Sequence, residues 1–136
     1  MATTKIEGTN REFLDLFRGL EAVKSMTGAR FAVLVGKNMK ELRLKLQPIE
    51  QAAAPPFEFQ ELSVKMQDLV ENKEEEAIKT LEEQNEKIIE DRKAQLQAVE
   101  DMLDESAEVY LHKIKESQLP EEITAEHVER LLQIID

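Results

Sequence analysis

The sequence predicts a mainly α-helical fold: a helical bundle with one long helix or helix pair, completed near the carboxyl end by a short β-strand and a short helix. Three observations carry this. Small and apolar residues recur at steps of three and four from Phe13 to Val23 and again from Gly28 to Ala53. From Glu58 to Ser106 there is neither Pro nor Gly, and Glu, Lys, Gln, Leu and Ala dominate, so summed propensity favours helix. In "AEVYLHKIK", Ala107 to Lys115, β-branched and aromatic residues come in near alternation.

The elements follow in chain order. Residues 1–8 are expected to form a flexible tail. Thr9-Asn-Arg-Glu12 fits a capping box, where a hydroxyl accepts an amide proton near the helix start and the Glu reaches back. Phe13, Leu16, Leu20 and Val23 then sit at helical spacing, with Leu14 and Phe17 widening the stripe, and Thr27-Gly28 ends a helix of about residues 10–26. The stretch "GARFAVLVGKN" and its sequel admit two forms. Phe31–Val35 followed by Gly-Lys-Asn and the alternation Leu42, Leu44, Leu46 fits a hairpin. Gly28, Ala32, Val35, Met39, Leu42, Leu46, Ile49 and Ala53 form one helical stripe, and this longer match is preferred, kinked or ended near Pro48.

Residues 52–57, with Pro55 and Pro56, read as a hinge within a single domain spanning 1–136. Beyond it, Ile78, Leu81, Asn85, Ile88, Arg92 and Val99 lie near heptad spacing. Polar residues at Asn85 and Arg92 make this seam leaky, and an interruption is expected near Glu71-Asn72-Lys73. The strand would carry Val109 and Leu111 on one face and Tyr110, His112 and Ile114 on the other. It needs a partner, in this chain or, if the earlier stretch is helical, in a neighbouring subunit. Thr124 is a good N-cap for a last helix with Val128, Leu131, Leu132 and Ile135 on one face.

Net charge is -11, unevenly spread: residues 1–50 hold nine Lys/Arg against six Asp/Glu, and residues 51–136 hold nine against twenty-three. An acidic surface repels duplex DNA and anionic lipid, so neither is an expected partner. The absence of Cys excludes disulfides and thiolate chemistry. The longest apolar run, Phe31–Val35, is far short of the ~20 residues that span a bilayer, and a cytoplasmic protein is expected.

No motif for catalysis stands out. His112 and His127 lie beside no nucleophile elbow and read more simply as ordinary histidines, no His pair falls at i and i+4, and no phosphate-cradling Gly-rich loop is present. A non-enzyme without a cofactor or metal is therefore expected. What remains is a face of the helix beginning near Arg30. At 100° per residue, Arg30 and Lys37 lie within about 20° of each other, with Asn38 and Lys40 flanking them on opposite sides. Arg30 would stand in the first helical turn, where the dipole favours an anion. Arg30, Lys37, Asn38 and Lys40 are the candidate ligand-binding residues. Phe31 is core, or else an aromatic surface for a base.

The helix "ARFAVLVGKNMKEL" (residues 29–42) and "VYLHKIKESQLPEEIT" (residues 109–124) resemble a family of short tailed-bacteriophage and prophage proteins of unknown function, with a "KFAYAVAKN" signature and a closing strand and turn. Lys37 and Asn38 match that signature; Arg30 replaces its Lys, Leu34 an aromatic and Gly36 an Ala. The resemblance implies a small, stoichiometric phage protein. Two functions then compete. One is a homo-oligomeric binder that sequesters a host protein or an anionic signalling nucleotide, such as a cyclic nucleotide, in the bacterial cytoplasm to counter host defence. The other is an assembly or virion component without a small-molecule site.

Overall fold

The computed structural model describes residues 2–136. The fold is mainly α, about 70% helical, with six α-helices and a small two-stranded antiparallel sheet among the described residues. The elements run β1 (Thr4–Thr9), α1 (Asn10–Val23), α2 (Ala29–Ala53), α3 (Phe57–Glu71), α4 (Glu75–Gln84), α5 (Glu86–Asp104), β2 (Ser106–Leu111) and α6 (Ala125–Arg130), with short 3-10 turns at Glu116–Gln118 and Leu132–Ile134. Among the described residues, no helix is long and apolar enough to cross a membrane. Where length alone implies one domain, the chain divides into two compact units: residues up to Pro48 together with Met102–Asp136, and Ile49–Asp101.

The first correction concerns the amino-terminal stretch. Residues 4–9 are not a flexible tail but strand β1, paired antiparallel with β2 from Thr4 opposite Leu111 to Thr9 opposite Ser106. Thr4, Ile6 and Gly8 alternate with charged residues, Ile6 turns inward, and Lys5 bridges Glu7 at 3.3 Å and Glu108 at 3.0 Å. The partner that β2 requires thus comes from this chain and not from a neighbouring subunit. Only one large apolar residue marks β1, and its pairing is a contact across about one hundred residues, which local patterning does not register.

The strand leads directly into α1 through the expected capping box. Thr9 Oγ1 accepts the Glu12 amide, and a Glu12 carboxylate oxygen accepts the Thr9 amide, each at 3.2 Å. Phe13, Leu16, Leu20 and Val23 are buried. The helix ends at Val23, three residues short of expectation, and Gly28 serves the next helix: at φ 115° it takes a conformation that suits glycine, and its carbonyl accepts the Ala32 amide at 2.9 Å to start α2. Gly19 has a different role. A Cβ there would lie 3.1 Å from Arg130 Cβ and 3.3 Å from Leu131 Cδ2, so its bare backbone lets α1 and α6 approach closely.

The helical reading of residues 29–46 holds, and α2 continues through Pro48 to Ala53. The proline removes one amide donor to the carbonyl of Leu44, at a solvent-exposed position where water can replace it. Further along, α3 closes with a Schellman arrangement: Lys73 adopts φ 55°, its amide meets the Val70 carbonyl and the Glu74 amide meets the Leu69 carbonyl. This is the expected interruption. A second break falls at Asn85, whose side chain donates to the Leu81 carbonyl at 2.9 Å.

After β2 the face expected for Ile114 is reversed. The strand stops at Leu111, and Ile114 is fully buried, forming a parallel bridge with Ile135. In α6 the expected apolar face also shifts: the helix ends at Arg130 and tightens into a 3-10 turn, so Leu131 and Ile134 are buried whereas Leu132 is 60% exposed. A change in helical period moves the buried set by one position.

Gly19→Val is expected to lower stability by about 1–3 kcal/mol, because overpacking at the α1–α6 crossing forces backbone shifts. Thermal denaturation followed by circular dichroism measures it.

Candidate anion-binding surface beside strand β2

The buried arc of α2 is set by Phe31, Leu34, Val35, Asn38, Met39, Leu42 and Leu46. Relative to Arg30 these span about 40–180° around the helix. The arc therefore takes in two positions that matter for function. Leu34 is 2% exposed and offers no stacking surface, and Phe31 at 1% is core.

Asn38 is the more consequential. Its side chain is fully buried, and its amide donates from Nδ2 to the His112 carbonyl while Oδ1 accepts the His112 amide, both at 2.8 Å. The side-chain amide thereby stands in for a neighbouring strand at the residue that follows β2. This corrects its place among the ligand-binding candidates: buried and doubly bonded to backbone, it positions the surface and is not part of it.

Arg30, Lys37 and Lys40 are all exposed. Arg30 borders a depression of ≈ 330 Å³ together with Leu34, His112, Lys113, Lys115 and Asp136. Lys37 and Lys40 border another, of ≈ 380 Å³, with Thr3, Glu41, Tyr110 and His112. His112 is common to both. Lys113 is steadied by donating to the Gln133 carbonyl at 2.9 Å. None of Arg30, Lys37, Lys40, Lys113 and Lys115 forms an ion pair among the described residues.

Lys113, Lys115 and Tyr110 were not on the sequence-derived shortlist. Tyr110 is 53% exposed because strand alternation turns Val109 and Leu111 inward and leaves it on the other side. That alternation was the available signal for Tyr110. The two lysines needed the position of α2 relative to the end of β2, which the Asn38 contact helps define.

Close to the start of α2 the chain supplies an anion of its own. Glu122 accepts the Thr27 amide at 2.7 Å and the Thr27 hydroxyl at 2.9 Å. The backbone bond from Thr27 leads the causes that hold the Glu122 carboxyl below its ordinary value of 4.5. His127 also has a local task, meeting the Thr124 hydroxyl at 3.0 Å in the cap of α6.

In comparisons with known proteins, the chain matches no family model, no curated protein and no solved structure.

Two predictions follow from these contacts. Asn38→Ala removes both partners of the part-buried His112 amide and carbonyl, and a loss of about 1–3 kcal/mol is expected in chemical denaturation. For Glu122, a folded-state pKa below the unfolded one means that its contribution is present above the ordinary value of 4.5 and is lost as pH falls through the lower folded value. Melting temperatures of the wild type and Glu122→Gln should therefore differ at neutral pH and converge in acid.

Proposed function

We propose that this protein is a non-catalytic, homo-oligomeric phage-type binder that takes up an anionic, phosphate-bearing ligand and acts by sequestration. The setting is the cytoplasm of a bacterial host, where the captured species is an anionic signalling nucleotide or a host factor of similar charge, and the effect is to counter host defence. The observation that supports the reading is the gathering of five cations from α2 and the segment after β2 around His112, none of them in an ion pair among the described residues, in a chain of net charge -11. Cations left unpaired beside concave surfaces favour an anion from outside the chain.

A second reading, an assembly or virion component, draws on α3, where Phe57 is 72%, Val64 62% and Val70 61% exposed. Such side chains suit contacts between proteins.

Thermal shift with a panel of mono-, di- and cyclic oligonucleotides separates the two. A ligand that binds only the folded state and is present at 100 times its Kd stabilises by about 2.7 kcal/mol, so a clear rise in melting temperature is expected, lost in Arg30→Ala/Lys37→Ala. No shift with any member, together with recovery of the protein in purified virions, would favour assembly. Light scattering gives the oligomeric mass, and a monodisperse monomer at tens of micromolar concentration would contradict the homo-oligomer.

A further inference from the structure

We infer that the ligand of this surface carries two separated phosphate groups and at least one aromatic base, the chemistry of a dinucleotide. This rests on the anion-binding reading and narrows it.

The cations fall into two groups. Arg30, Lys113 and Lys115 border one depression, Lys37 and Lys40 the other, and only His112 borders both. Arg30 and Lys37 are seven residues apart, about 10 Å along the helix axis. Charge-assisted bonds to a phosphate close at about 2.7–2.9 Å, so one phosphate fills one group and leaves the other unused. Two phosphates on a common frame use both.

The remaining lining residues describe that frame. Tyr110, half exposed beside Lys37 and Lys40, presents an aromatic ring on which a base stacks. Each depression also holds one carboxylate, Glu41 or Asp136. A carboxylate repels a bare polyphosphate but accepts a hydrogen bond from a ribose hydroxyl or a base amine. His112 stands between the groups, and its Nδ1 is buried with no hydrogen-bond partner among the described residues.

Calorimetric titration of the full chain with cyclic di-AMP, cyclic di-GMP, AMP, inorganic tripolyphosphate and single-stranded oligo(A) tests this. A cyclic dinucleotide should bind at least about 100-fold more tightly than AMP, the gain expected from joining two contacts, and more tightly than tripolyphosphate. Lys37→Ala/Lys40→Ala and Arg30→Ala/Lys115→Ala should each weaken it about tenfold or more, and Tyr110→Thr should weaken it while both lysine groups stay intact. These surface variants should keep the wild-type circular dichroism spectrum. AMP or tripolyphosphate binding as tightly as the dinucleotides, or silence of the variants in one depression, would overturn the two-phosphate inference and leave anion binding standing. Tighter binding of oligo(A) would replace the free dinucleotide with a nucleic-acid strand. Absence of binding by every phosphate compound would overturn both readings.

Discussion

The buried contact between Asn38 and the backbone of His112 is the constraint on which the candidate surface depends. Two hydrogen bonds of 2.8 Å fasten the middle of α2 to the residue just past β2. The Asn38 side chain is fully buried and has no water to replace these bonds, so the contact is costly to open. With that point fixed, the helical period leaves Arg30 and Lys37 about 40° and 60° outside the buried arc and Lys40 farther round the exposed side; Arg30 borders a depression with Lys113 and Lys115, and Lys37 and Lys40 border one with Tyr110. A change of even one residue in the register of α2 would turn its cations by about 100° relative to the segment after β2.

The second unit shows a similar use of polar side chains for architecture. Arg92 and Gln95 of α5 donate to the carbonyls of Ala52, Ala53 and Ala54, where α2 ends, at 2.7–2.9 Å. Those carbonyls have no helical donors of their own. Arg92 also lies over the Phe59 ring at 5.3 Å. Apart from such contacts this unit has few buried side chains, Ile49, Leu62 and Val99 among them, and residues 49–101 carry six Lys/Arg against fifteen Asp/Glu. The cationic surface therefore belongs to a unit of nearly balanced charge, and most of the net charge of the chain lies in the other.

Where local physics decides, the sequence was legible. The Thr9–Glu12 cap, the helical form of residues 29–46, the break after Glu71 and the strand at Val109–Leu111 all follow from spacing, propensity and capping chemistry. What escaped were pairings between distant residues. Strand β1 is polar and is defined by β2. Asn38 sits on the projection between a basic and an apolar face, and its burial is settled by the free backbone groups of His112, which no spacing rule encodes. Arg92 interrupts the apparent seam because it caps another helix. Polar residues in these places are read most naturally as solvated until the backbone groups they serve are located.

The most direct test of the account is amide hydrogen exchange at His112 in the wild-type protein under native conditions. Bonded to the buried Asn38 side chain, its amide should exchange as slowly as the paired amides of β2. Exchange at the rate of an open loop, with β2 still protected, would show that α2 is not fastened there and that the cations of the proposed surface are not held together.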